Sequence, residues 1–184
     1  MFVETVVMEN TSIHDLNLTK FDVVVALKNK NVRISGSDFG VDLSPLNDIY
    51  FNDAPDCAVI AETGVKVKLP PYVMAEIRPR SSLHKYGLWI PNSPATIDPS
   101  YRGDCKLILC CFNTSLLYNK FGKAYVPSGT RLAQMTFQLS LTPANYEIPD
   151  TIRMLFMFNE ELYDKFDIIF PTTRGSKGIG STGV

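Results

Sequence analysis

Val65-Lys66-Val67-Lys68-Leu69-Pro70-Pro71-Tyr72-Val73-Met74-Ala75-Glu76-Ile77 decides the fold of this chain. Its first five residues alternate apolar and basic with a period of two, the pattern of a strand with one covered face. The double proline interrupts the run and a second apolar run follows at once. Similar short runs lie on either side: Cys57 to Ile60 before it, then Lys106 to Phe112, Gly122 to Pro127 and Arg131 to Leu139 after it. Phe21-Asp22-Val23-Val24-Val25-Ala26-Leu27 adds an earlier one, rich in β-branched residues. Many short strands, with 12 prolines among 184 residues to separate them, predict an all-β jelly-roll-like sandwich or barrel. At most one short helix is expected, near Asn159 to Phe166. Lys106 to Phe112 is apolar at nearly every position, so both its faces should be covered, by a second sheet or by another subunit.

The length fits one domain with a substantial core, spanning residues 1–170, and 45% hydrophobic residues is ordinary for a globular chain. Residues 171–184 change character to a glycine-rich segment, expected to be a flexible tail. Net charge is −1, so no generally basic surface exists to hold a nucleic acid polymer. A compact anion gripped by a few placed donors suits this balance better. Met1 to Val7 carries Glu4 and has neither a basic lead nor a long apolar core, so no signal peptide or membrane span is expected. Cys57, Cys105, Cys110 and Cys111 include no Cys-x-x-Cys pair and no histidine at ligand spacing, which gives a zinc site little support and suits reduced thiols.

The chemistry concentrates between Arg78 and Gly103. Pro79-Arg80-Ser81-Ser82-Leu83 offers a cation, hydroxyls and backbone N–H donors to anionic oxygens. Ala95-Thr96-Ile97-Asp98-Pro99-Ser100-Tyr101-Arg102-Gly103 then sets an aspartate three residues before a tyrosine. Phosphate donors followed by a carboxylate and an aromatic wall suggest a nucleoside triphosphate presented to an activated water. Each residue also has a plainer role: Asp98 before Pro99 as a turn residue, Tyr101 as a half-buried strand aromatic, Asp42 as the end of a strand. In the tail, Gly178 to Gly183 matches G-x-G-x-x-G, but no helix follows it, and Lys177 is misplaced for a Walker loop. What remains is a run of backbone N–H groups that, with Arg174, Ser181 and Thr182, could close over phosphates.

Five ordered segments resemble the motifs of the trimeric dUTPase family: Phe39 to Leu43, Pro79 to Leu83, Ala95 to Gly103, Gly129 to Met135, and Arg174 through Gly183. The resemblance implies hydrolysis of dUTP to dUMP and pyrophosphate, keeping uracil out of DNA. It implies Asp98 as the general base, Tyr101 against the deoxyribose, and Arg80, Ser81, Ser82, Gln134 and Arg174 on the phosphates. Arg131 would either join them or form a structural ion pair. Asn92, with main-chain groups around Thr96, Ile97 and Lys106, would read the uracil edge, and Ile179 would lie over the base. Mg²⁺ would be held through the phosphates and water, with Asp42 in its outer shell or supporting the site. The family pattern further implies a homotrimer whose tail crosses to a neighbouring site, no membrane, and a soluble compartment where nucleotides are made, the cytoplasm or nucleus.

Three positions depart from the pattern. Ile179 stands where the family has an aromatic lid, Ala95 where it prefers glycine, and Thr114 to Ser128 forms a longer connection than the family needs. Two other readings use the same residues. A dCTP deaminase shares Arg80-Ser81-Ser82 and Ile97-Asp98-Pro99 but needs a catalytic glutamate where this chain has Ile108. A non-catalytic nucleotide- or protein-binding module could keep the fold without turnover.

Overall fold

The computed structural model describes residues 2–9, 11–34, 40–51, 58–139 and 149–178. Along the chain run strands β1 (Phe2–Glu9), β2 (Val23–Leu27), β3 (Arg33–Ile34), β4 (Val41–Leu43), β5 (Ile49–Tyr50), β6 (Val59–Ala61) and β7 (Val65–Lys68). After these come β8 (Val73–Pro79), β9 (Leu88–Trp89), β10 (Ala95–Ile97), β11 (Leu107–Cys111), β12 (Tyr125–Val126), β13 (Ala133–Leu139) and β14 (Thr151–Phe158). The deciding stretch forms β7 and β8, with Pro70 and Pro71 in the connection between them.

These strands form an all-β, sandwich-like arrangement of separate sheets and do not close into a barrel. One sheet has the order β1-β14-β2-β7 and a second the order β10-β8-β13-β4-β3. The main core lies between them, where Val23, Val25, Leu27, Val65, Val67, Ala75, Ile77 and Met135 are buried. β2 is covered on both faces, because Val24 and Ala26 pack outward with Leu155 and Met157 under two C-terminal helices. That double burial accounts for the uninterrupted apolar run at 23–27.

Three helices replace the single one expected. α2 (Glu160–Asp164) and α3 (Phe166–Ile169) occupy the anticipated place, and the Asn159 side chain caps α2 by accepting from Leu162 N at 2.9 Å. α1 (Thr114–Phe121) fills the long connection after β11. Asn113 Oδ1 accepts from Ser115 N at 3.1 Å to start α1, and Gly122, at φ 74°, ends it. It buries only Leu117, so its apolar periodicity is too weak to announce a helix.

The N-terminus also departs from expectation. β1 pairs in parallel with β14, which pairs in parallel with β2. A buried ion pair fastens this sheet: Arg153 Nε and Nη2 donate to Asp22 Oδ1 and Oδ2 at 2.9 and 2.5 Å. In β11, Leu107 and Leu109 are buried, whereas Ile108, Cys110 and Cys111 are half-buried within this single chain. The expected cover is therefore complete on one face only. Cys105 is buried in the main core, and Cys57 lies outside the described residues.

Candidate active site

The predicted site residues fall into two groups, built on the five-stranded sheet and the loops that leave it. The first is centred on Asp42 of β4, whose register sets it opposite Gln134 of β13. Asp42 is buried, and its Oδ1 accepts from Arg80 Nη1 and, at 3.3 Å, from Gln134 Nε2. Its Oδ2 accepts from Arg131 Nη1 at 3.0 Å. Arg131 is thus an ion-pair residue, and Asp42 has both oxygens engaged in orienting the phosphate-binding candidates. Arg80 N donates to Leu132 O at 2.9 Å, pinning the backbone where β8 ends. Ser81 is exposed and Ser82 partly so, just before the single helical turn Leu83–Tyr86.

Charge arithmetic makes this cluster stable only as a unit. The Asp42 side chain is 8% exposed and that of Arg80 25%. Removing one partner of a buried pair costs on the order of 3–5 kcal/mol when it strands a charge, and partial exposure of the arginines reduces that.

The second group surrounds a hollow of about 330 Å³ where β10 ends. Asn92, Thr96, Ile97, Asp98, Tyr101 and Lys106 line it, together with Arg174 and Gly178 from the C-terminal segment. Tyr101 N donates to Asp98 O at 3.0 Å, and this turn gathers carboxylate and aromatic at one hollow. Asp98 remains exposed and accepts from Arg174 Nη1. The Arg174 guanidinium carbon lies 5.4 Å from the Tyr101 ring centroid, within cation–π range. Tyr101 is buried, and its hydroxyl donates to Asp104 O at 2.8 Å. Burial, with the nearby Cys105 and Asp104, pushes the Tyr101 phenol up to about 12. Gly103 makes the arrangement possible: a Cβ there would lie 2.4 Å from Tyr101 Oη.

The C-terminal segment was expected to cross to another subunit, yet residues 171–178 lie against their own chain. Thr172 Oγ1 donates to Ser100 O at 2.6 Å and Arg102 N to Gly175 O at 2.8 Å. Buried Arg102 adds bonds from Nε to Phe170 O at 2.9 Å and from Nη1 to Pro99 O at 2.7 Å. Ile179, Ser181 and Thr182 lie outside the described residues, as does Phe39.

Arg80, Ser81, Ser82 and Gln134 do not line the hollow. Within one chain the carboxylate, sugar wall and base-reading positions are brought together, and the phosphate donors form a separate cluster. The sequence reading gave Asp104 and Tyr163 no role. Asp104 is buried, and burial raises its carboxyl despite bonds from Thr63 N and from the Tyr163 hydroxyl. Its place in Tyr101-Arg102-Gly103-Asp104 was the available signal. Ile108 lies in the hollow's wall, so the position a deaminase gives to glutamate is aliphatic.

A fold of short strands with such a hollow defines a class: residues 15–140 match a family model described as dCTP deaminase-like. Within that class the chain is 32% identical over 148 residues to the deoxyuridine 5′-triphosphate nucleotidohydrolase of Clostridium novyi, covering 80% of this chain and 85% of the relative. It is 33% identical over 152 residues to that of Gloeothece citriformis, covering 82% and 86%. The dUTPase of phage phi11 of S. aureus, whose structure coordinates a structural Mg(II) ion, is similar in fold at TM-score 0.53 and 18% identity, over 70% of this chain and 97% of that one. The chain belongs to the dUTP nucleotidohydrolase family. β1, β14, α2 and α3 fall outside the span matched by the family model.

Proposed function

We propose that the chain hydrolyses dUTP to dUMP and pyrophosphate. The observation that carries this reading is the exposed Asp98 carboxylate beside the buried Tyr101 ring, in a hollow whose wall also includes Asn92 and Thr96. Asp98 takes a proton from a water whose oxygen forms a bond to the α-phosphorus. The bridging bond to the β-phosphate breaks, and the electron pair leaves with pyrophosphate. Arg174 has to give up Asp98 for this to occur, and the triphosphate offers its guanidinium a bidentate anionic alternative. Arg80, Ser81, Ser82 and Gln134 hold phosphate oxygens, with Arg80 and Gln134 oriented by Asp42. Tyr101 leaves no room for a 2′-hydroxyl. Asn92 and main-chain groups of Thr96, Ile97 and Lys106 read the uracil edge, where fixed donors and acceptors discriminate strongly against cytosine.

The donor set fits magnesium. The carboxylates at the hollow are Asp98 and Asp104, and the oxygens of Asp104 are already taken by Thr63 N, Val65 N and the Tyr163 hydroxyl. An ion that keeps several waters and takes its remaining oxygens from a triphosphate needs no more than this. When bound, Mg²⁺ supplies charge neutralisation on the phosphates.

The working form is a homotrimer. Two observations support it: the phosphate donors lie outside the hollow, and β6-β11-β9 presents exposed Ile60 and Trp89, with Phe112 following it, beside half-buried Ile108 and Cys110. An apolar strip of this kind suits a neighbouring subunit, whose Asp42 cluster would complete the site. Among the described residues no helix is long and apolar enough to cross a membrane, and the chemistry belongs in the cytoplasm or nucleus where DNA precursors are used.

Pyrophosphate release from dUTP with Mg²⁺ tests the reading. Turnover of dCTP with loss of ammonia would indicate deamination, which Ile108 disfavours, and binding without turnover would indicate a non-catalytic module. Asp98→Asn should lower kcat by on the order of a hundredfold or more while dUTP binding persists.

A further inference from the structure

Tyr163 reaches the sugar wall from outside the span matched by the family model. It is buried on α2, and Lys66 anchors its main chain by donating from Nζ to Tyr163 O at 2.8 Å. Its hydroxyl donates to Asp104 Oδ2 at 2.7 Å. The same carboxylate accepts from Thr63 N at 2.8 Å and Val65 N at 3.1 Å, while the Asp104 carbonyl accepts the Tyr101 hydroxyl. A chain of two hydrogen bonds therefore joins the C-terminal helix to Tyr101.

Packing alone does not hold that ring. Tyr101 and Asp104 stand between two hollows and line both: the one that holds Asp98, and a second of about 570 Å³ bounded also by Lys66 and Tyr163. A wall with space on two sides depends on directed bonds for its position. Burial raises both the Asp104 carboxyl and the Tyr163 phenol, so the proton stays on Tyr163 and the donation keeps its direction.

We propose that Tyr163 is a positioning residue for sugar discrimination, fixing through Asp104 the hydroxyl and hence the ring of Tyr101. This rests on the dUTP-hydrolysing reading above. A purely structural Tyr163 would tie α2 to the core and nothing more, so the test needs a measure that loosened packing does not move.

That measure is the ratio of kcat/KM for dUTP to kcat/KM for UTP, taken in Tyr163→Phe, Tyr101→Phe, the double variant and Phe166→Leu. Phe166 is fully buried under the same helices and serves as the packing control. Tyr163→Phe and Tyr101→Phe should each reduce the ratio by roughly three- to tenfold, the effect of one lost hydrogen bond, and the double variant should fall no further. Phe166→Leu should lower Tm and leave the ratio at the wild-type value. The proposal is overturned if Tyr163→Phe keeps the wild-type ratio, if the two effects multiply, or if Phe166→Leu reduces the ratio equally. A wild-type protein that hydrolyses neither nucleotide would overturn the functional reading itself. An active wild type with an unresponsive Tyr163→Phe would overturn this inference alone.

Discussion

Gly103→Ala should damage stability and sugar choice together, for a reason that can be worked out from three distances. The added Cβ would lie 2.4 Å from Tyr101 Oη, 2.6 Å from Cζ and 2.9 Å from Cε2, where ordinary contact begins at 3.4 Å. The ring has to retreat by about 1 Å, which a close-packed interior resists. It cannot do so freely, because Tyr101 is only 8% exposed and bonded to Asp104 O. Forcing a methyl into such a place costs about 1–3 kcal/mol, and the lost hydrogen bond adds about 0.5–1.5 kcal/mol. The sum is about 2–4 kcal/mol, and at about 2–4 °C per kcal/mol for a chain of this size, Tm should fall by roughly 4–16 °C. Thermal denaturation followed by circular dichroism measures the first effect. Hydrolysis of dUTP and UTP measures the second, where the displaced wall should cut the preference for the deoxynucleotide by roughly tenfold. A variant with unchanged Tm and an unchanged ratio would refute the reasoning, since Tyr101 would then have room that the geometry denies it.

Tyr101→Ala should narrow the dUTP preference further, mainly through faster hydrolysis of UTP; an unaltered ratio would move the sugar wall elsewhere. Mixed trimers of Asp98→Asn and Arg80→Ala subunits should regain activity where an intact hollow meets an intact Asp42 cluster, at roughly a quarter of sites after random exchange. No recovery, with exchange verified by native mass spectrometry, would mean that each site is built within one chain. Acid stability should report on Asp22. Burial alone would raise its carboxyl, but the bonds from Arg153 and Thr19 N outweigh burial and hold it below the ordinary 3.8. Its contribution is therefore full above that value and lost as pH falls through the lower folded-state one. Asp22→Asn should melt well below wild type at pH 7 and converge on it near pH 3 or lower, whereas a constant gap would refute the linkage.

Period-two runs made β7, β8 and β13 legible, because a half-buried strand writes its alternation directly into the sequence. β1 was less legible. Its pairing partner lies at the far end of the chain, and no local signal in Phe2 to Glu9 points to Thr151. α1 was hidden by its single buried leucine, though Asn113 and Gly122 marked its ends. In the site, Asp98, Tyr101 and Asn92 converge as the motif order implied, since one turn and one short strand connect them. Asp104 and Tyr163 were not legible, because a buried carboxylate bonded to a phenol 59 positions away leaves no spacing to read. The separation of Arg80 from the hollow was equally hidden: motif order says which residues serve a reaction, not whether one chain brings them together.

Pairing β1 with β14 imposes a timetable on biosynthesis. Phe2 is opposite Thr151 and Glu9 opposite Phe158, so β1 is synthesised about 150 residues before its partner. At about 5–20 residues per second, that strand waits roughly 7–30 s on the ribosome, along with the outward face of β2. The inner sheets, whose strands lie between residues 41 and 139 apart from β3 at Arg33–Ile34, can close during this interval. The outer sheet cannot, and Val24 and Ala26 stay uncovered until Leu155 and Met157 emerge. Ribosome-bound chains halted before residue 151 should therefore recruit chaperones that the completed protein does not.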